Sequence, residues 1–190
     1  MGKEAAFEIY ATIERQSAIP INDPNGIVPT QIQGDVEFHD VHFNYPSRPD
    51  AKILTGLNLK IPKGKKVALV GETGCGKSTT IQLIERYYDP LMGKVTIDGQ
   101  DLTKYNLTAL RKFIGYVGQE PVLFAMSVRE NLLMAKPGAT VQEMEEALKK
   151  ANAYNFVMKL EKQLDTYVGA GGSQLSGGQK QRLAIARSIL

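Results

Sequence analysis

Residues 71–78 read Gly71-Glu72-Thr73-Gly74-Cys75-Gly76-Lys77-Ser78, and this stretch decides the fold of the chain. It matches the pattern G-x-x-x-x-G-K-[ST], in which the glycines let a loop curl so that its backbone N–H groups point inward. An apolar run at residues 67–70 precedes the loop, and a helical pattern follows it. Strand, loop and helix N-terminus together form a cradle for anionic oxygens. The stretch therefore predicts a phosphate-binding P-loop.

The side chains of this loop fit a nucleoside triphosphate carrying magnesium. Lys77 supplies a positive charge for the β- and γ-phosphates, and Ser78 offers a hydroxyl to Mg²⁺. Thr79 adds a hydroxyl near the α-phosphate, and Cys75 is interpreted as a small residue tolerated inside the cradle. We therefore predict that ATP and Mg²⁺ bind along residues 71–79, with every residue of that range in contact with the nucleotide.

Composition sets the class of protein. The chain has 190 residues, of which 43% are apolar and 23% charged, as in one ordinary globular domain. A net charge of +3 does not suggest a nucleic-acid partner. The single cysteine excludes an internal disulfide. No apolar run approaches the roughly 20 residues that a membrane span needs, and no secretory signal is visible. These features predict a soluble, cytosolic, mixed α/β domain.

The first half of the chain is strand-rich. Alternating apolar residues predict strands over residues 36–45, 57–61 and 95–97, and short apolar runs predict buried strands at residues 67–70 and 114–117. In the first strand the alternation of apolar and polar residues shifts by one position, which indicates a bulge near His39 and Asp40.

The second half of the chain is helical. Helices are predicted over residues 5–15, after the P-loop, over 140–151 behind a Thr140–Glu143 capping box, over 155–160, and from about Ser176 to the end.

A second motif lies at the start of the last predicted helix. Residues 174–179 place Ser176 three positions before Gln179, which is the chemistry of a capping box, and the paired Gly177 and Gly178 leave backbone amides bare. Taken alone, this pattern is equally typical of an ordinary capped helix and of a helix N-terminus that receives an anion.

The two motifs together resemble the nucleotide-binding domain of an ABC transporter. The P-loop is followed by Leu175-Ser176-Gly177-Gly178-Gln179, the signature of that family, about a hundred residues later. Residues 43–48 resemble its A-loop, and residues 117–121 resemble its Q-loop. The resemblance runs from Asp35 to Leu190 and is closest to multidrug-resistance exporters, of the B type.

The resemblance implies roles for individual residues. Tyr45 would stack on adenine, and Arg48 of the same loop would contact the nucleotide. Lys77 and Gln119 would be the catalytic residues present, with Gln119 reaching Mg²⁺ and the attacking water and Ser78 as the other metal ligand. Two such domains pair head-to-tail, so residues 176–179, which are Ser176, Gly177, Gly178 and Gln179, would serve an ATP held mainly by the partner domain. Transmembrane domains are the other implied partners, at the cytoplasmic face of a membrane.

The implied fold is an α/β P-loop NTPase core of the RecA-like type, with an antiparallel β subdomain and a helical signature subdomain. Residues 1–34 are expected to form a helix and a linker outside the core, residues 35–119 the β subdomain and P-loop core, and residues 120–190 the helical subdomain. Ala170 and Gly171 stand where related exporters usually carry a Glu-Arg pair, so polar coupling to the transmembrane partner is expected to be weaker here or to be made differently.

The family pattern continues beyond Leu190 into a strand with a magnesium-linked Asp and the catalytic Glu, followed by a D-loop and a switch histidine. The C-terminal part of the core is therefore expected to be missing, leaving residues 67–70 poorly paired, unless the chain recruits strands by association or swapping. Two alternatives to an ATP-hydrolysing exporter motor stay open. The 190 residues alone would bind ATP without turnover, or the chain would belong to an ABC-type ATPase of DNA repair or chromosome organisation.

Overall fold

The computed structural model describes residues 2–190, which form two compact units, one ending at Ile114 and one starting at Gly115. The first unit contains helix α1 (Gly2–Glu14), strands β1 (Val36–Phe43), β2 (Leu54–Ile61), β3 (Met92–Ile97) and β4 (Gln100–Asp101), and helices α2 (Lys77–Ile84) and α3 (Leu107–Leu110). The second contains α4 (Val128–Leu133), α5 (Val141–Lys150), α6 (Tyr154–Met158) and α7 (Gly177–Ile189). Among the described residues, no helix combines the length and apolar character that crossing a membrane requires.

The sheet of the first unit is antiparallel, in the order β2-β1-β3-β4. Strand β1 carries the predicted bulge. Its pairing with β2 jumps from Phe38–Leu59 to Val41–Leu57, and Asp40 has a φ of 47°. The extra residue puts both Phe38 and Val41 into the core, where each is at most 2% exposed.

Two predicted strands do not form. Residues 67–70 have no regular secondary structure, with Val67 45% and Val70 92% exposed, so the prediction of a strand buried on both faces is wrong. The expectation that residues 67–70 lack strand partners is met. Residues 114–117 are irregular as well. An isolated run of apolar residues does not hold a strand, because its N–H and C=O groups need a hydrogen-bonded neighbour.

The segment between α1 and β1 binds to the first unit instead of hanging free. The Ile27 N–H donates to the Lys104 carbonyl at 2.8 Å, and the Asn106 N–H donates to the Ile27 carbonyl at 3.0 Å. The Asp98 carboxylate accepts from the N–H groups of Gln33 and Asp35 at 2.7 and 2.9 Å. Two apolar residues of the segment also pack against the core, Ile19 and Ile32. The expectation that this segment stays outside the core is wrong in this respect.

The second unit is helical, as predicted. Helices α5, α6 and α7 lie at the predicted places, and the capping box between Thr140 and Glu143 is present. Helix α4 was not predicted, although Ser127 and Glu130 form the same kind of capping box in front of it. The core of this unit is built from α4, α5 and α7 and includes Leu132, Leu148 and Leu183, all fully buried.

Candidate nucleotide site

The P-loop leads directly into α2 with its backbone in the left-handed region. Gly74 has a φ of 88° and Gly76, at the N-cap of α2, a φ of 91°. Among the described residues no side chain caps this helix, so the N–H groups of its first turn are left to a ligand or to water. A Cβ atom on Gly76 would lie 2.7 Å from the Leu54 Cδ2 atom, which leaves room only for glycine. The loop therefore has the curl that a phosphate cradle needs.

The Lys77 side chain folds back into this curl. Its Nζ atom donates to the carbonyl oxygens of Gly71 and Glu72 at 2.8 and 2.6 Å and lies 3.5 Å from the Cys75 Sγ atom. An ammonium group has three donors and bonds an anionic oxygen more strongly than a neutral carbonyl. The amine is thus positioned over the loop with acceptors that a phosphate can replace. Ser78, the next residue, is exposed.

Tyr45 lies against α2. Its hydroxyl is 2.8 Å from the Thr79 Oγ1 atom and donates to the Gln82 Oε1 atom at 2.8 Å. Its ring packs edge-on against Phe43 and Tyr88, with centroid distances of 5.0 and 5.4 Å. Gln82 was missed by the sequence reasoning. The signal was available, because residues three apart on a helix share a face, as Thr79 and Gln82 do.

Arg48 is exposed, in the turn that follows Tyr45. Its backbone N–H donates to the Tyr45 carbonyl at 2.9 Å. The turn thereby fixes the main chain on one side of the tyrosine, while the hydroxyl contacts fix the end of the ring. In the first unit, the structure brings together Tyr45, Thr79 and the P-loop that leads into α2.

The signature residues begin α7 in the second unit. Ser176 and Gln179 form the predicted capping box, with the Ser176 N–H donating to Gln179 Oε1 at 2.8 Å and the Gln179 N–H donating to Ser176 Oγ at 3.3 Å. A Cβ atom on Gly177 would meet no atom within 4 Å among the described residues. The backbone at the start of α7 is therefore accessible to a second molecule.

Gln119 also lies in the second unit, exposed at a bend. Together with the start of α7 it lines an open cleft of about 550 Å³, whose walls include Gln119, Glu120, Gly171, Gly177 and Lys180. The turn at Ala170–Gly172 borders the same cleft through Gly171. Gly171 has a φ of 58° there and adds no side chain to it. The predicted site residues thus fall into two groups, one in each unit.

Residues 54–190 match the sequence pattern of the ABC transporter family. The chain belongs to the ABC transporter family. Its similarity to known members extends over the whole chain, so the α1 segment and the bulged β1 strand are covered as well as the motifs. The resemblance to multidrug-resistance and B-family exporters is confirmed.

Three ABC proteins illustrate the relationship. Multidrug resistance protein 3 of Entamoeba histolytica is 54% identical over 189 residues, and ABC transporter B family member 3 of Dictyostelium discoideum is 50% identical over 189 residues. They cover 98% and 100% of this chain, which spans only 14% and 13% of their own lengths. A bacterial Atm1-family ABC exporter, solved with ATP bound, superposes with a TM-score of 0.91 at 37% identity, covering 99% of this chain and 32% of its own. The predicted ABC ATPase fold, an antiparallel sheet combined with helices, is confirmed.

Proposed function

We propose that this ABC domain binds Mg-ATP along Gly71–Thr79 and serves as the ATP-hydrolysing motor of an exporter. The observation that carries the proposal is the P-loop itself. Lys77 lies over a loop in which Gly74 and Gly76 are left-handed, at the start of α2, where no side-chain cap is recorded among the described residues. Backbone donors, a helix N-terminus and one ammonium group converge there, which is the chemistry that binds phosphate oxygens.

The other residues of the site would each contact a different part of the Mg-ATP molecule. Tyr45 stacks on the adenine ring with Arg48 beside it, and Thr79 lies on the side of α2 that faces Tyr45. Ser78 and Gln119 would hold Mg²⁺, since a hydroxyl and an amide carbonyl are the hard oxygen ligands that this ion prefers. When bound, the ion neutralises negative charge on the β- and γ-phosphates. Lys77 and Gln119 are the catalytic residues that this chain contributes.

The partners follow from the open start of α7. A second nucleotide-binding domain in a head-to-tail dimer would present its own ATP to Ser176, Gly177, Gly178 and Gln179, where the backbone is accessible. Transmembrane domains of the same transporter would contact this domain at the cytoplasmic face of the membrane and respond to closure of the dimer. The transport role is inferred from relatives that are multidrug resistance proteins. No nucleic-acid partner is proposed.

The test removes the ammonium group. Lys77→Ala should weaken ATP binding by about 10- to 150-fold, because hydrogen bonds to charged groups contribute roughly 1.5–3 kcal/mol. Lys66→Ala is the matched control, since Lys66 is an exposed lysine eleven positions before Lys77. Titration calorimetry with Mg-ATP measures both. Equal affinities of the two variants would refute the P-loop as the binding site.

A further inference from the structure

The Tyr45 hydroxyl is held from two sides. It lies 2.8 Å from Thr79 Oγ1 and 2.8 Å from Gln82 Oε1, while the ring packs edge-on against Phe43 and Tyr88. A phenol has one proton to donate and lone pairs to accept with. It donates to the Gln82 carbonyl oxygen, which only accepts, and so it accepts from the Thr79 hydroxyl. Both hydrogen bonds are satisfied at the same time.

Both partners lie on the helix that starts at the P-loop. Thr79 and Gln82 are three residues apart on α2, one turn along the same face, and Thr79 is only 3% exposed. The ring is therefore held against the helix that follows the phosphate loop. Turning the ring about its Cα–Cβ bond would break both hydrogen bonds together.

We propose that Gln82 is a positioning residue for base recognition, which with Thr79 holds the Tyr45 ring in the orientation that receives adenine. This inference rests on the proposed function, in which Tyr45 stacks on the base. Gln82 does not touch the nucleotide; it acts through the phenol. Removing its carbonyl oxygen takes away one of the two hydrogen bonds that hold the hydroxyl, so the ring is held less firmly and binding of the base weakens while binding of the phosphates does not.

The experiment compares two probes on the full-length protein: Mg-ATP and inorganic tripolyphosphate with magnesium. Gln82→Leu keeps the approximate volume and removes the acceptor, and Tyr45→Phe removes the hydroxyl. Gln82→Leu should weaken ATP about fivefold, the effect of one hydrogen bond, and Tyr45→Phe, which removes two hydrogen bonds, by up to about 25-fold. Both should leave tripolyphosphate affinity unchanged. The double variant should lose no more than the larger single loss, because both changes break the same contact. Tyr87→Phe, the same loss of a hydroxyl just beyond α2, should change neither affinity.

The outcomes separate this inference from the proposed function. If the parent binds ATP through Lys77 but Gln82→Leu binds it as tightly as the parent, the positioning role is overturned and the function stands. Equal losses for ATP and tripolyphosphate would also overturn it, because Gln82 would then act on the P-loop and not on the base. If the parent fails to bind ATP, or binds it without Lys77, the proposed function itself is refuted.

Discussion

Gly76 is the P-loop residue that packs against Leu54 of strand β2, and replacing it with alanine tests how close this packing is. The residue has a φ of 91°, and a Cβ atom there would lie 2.7 Å from Leu54 Cδ2, 3.5 Å from Ile53 Cγ2 and 3.5 Å from the Ile53 carbonyl oxygen. Leu54 is itself 7% exposed, in the core of the first unit. Its methyl group therefore cannot move into solvent to make room.

Two costs add in Gly76→Ala. A left-handed backbone costs an L-residue about 1–2 kcal/mol, and an extra methyl group in a packed core costs about 1–3 kcal/mol more. We expect Gly76→Ala to lower the free energy of unfolding by about 2–5 kcal/mol. Gly74→Ala is the matched control, because Gly74 has a φ of 88° but no atom within 4 Å of its Cβ position among the described residues. It should lose only the backbone part, about 1–2 kcal/mol.

Urea unfolding without nucleotide, followed by circular dichroism, measures both losses, since the chain has no tryptophan for fluorescence. A third variant isolates the contact. In a Leu54→Ala background the crowding is gone, so adding Gly76→Ala should cost no more than Gly74→Ala does in the parent. Equal losses for the two glycine variants in the parent background would refute the account of the loop as packed against β2.

Two further predictions concern the rest of the chain. The Lys136 ammonium, then the Thr140 N–H and hydroxyl, lower the pKa of Glu143 to about 2, so the stabilisation by its carboxylate is complete above pH 4.5 and is lost as the pH falls from there towards 2. NMR titration should show the pKa of Glu143 rising in Lys136→Ala and unchanged in Lys149→Ala. In the sheet, a Cβ on Gly93 would lie 2.2 Å from the Asp40 carbonyl oxygen, whereas Gly99, with nearly the same φ, has open space. Thermal unfolding should therefore show a loss above about 4 kcal/mol for Gly93→Ala, the range of severe backbone conflict, and only about 1–2 kcal/mol for Gly99→Ala. Similar melting temperatures for the two variants would contradict this.

Local chemistry made much of the fold predictable. The bulge in β1 follows from a change of parity that only an extra residue can accommodate, and Asp40 is that residue. The capping boxes at Thr140 and Ser176 are short-range hydrogen bonds between residues three apart, so the sequence contains both partners. The P-loop is of the same kind, because its glycines and lysine act within eight residues.

Features that depend on distant partners were not predictable in this way. Residues 67–70 carry the apolar composition of a buried strand, but a strand also needs a neighbour to pair with, and the sequence of the run does not say whether one is present. The segment before β1 reads as a linker because of its prolines and glycines. It is held by Lys104, Asn106 and Asp98, which lie 63 or more residues away in the chain. The helix spacing places Gln82 on the same face as Thr79, but its contact with Tyr45, 37 residues before it, was not predictable from that spacing.

The contacts of Thr79 explain why base and phosphate recognition should be examined with separate probes. Its hydroxyl has one proton, and in the structure that proton is used by Tyr45, because the proton of Tyr45 goes to Gln82. For Thr79 to donate to an α-phosphate oxygen, Tyr45 must turn its own proton towards Thr79, and Gln82 must then offer its amide N–H to the phenol. Gln82 can do this because its amide carries both a donor and an acceptor, whereas leucine can do neither. The amide thus holds the ring in either arrangement. Without it, Tyr45 can still donate to Thr79 and leave the Thr79 proton for a phosphate oxygen, so the loss of the amide should weaken ATP and not tripolyphosphate.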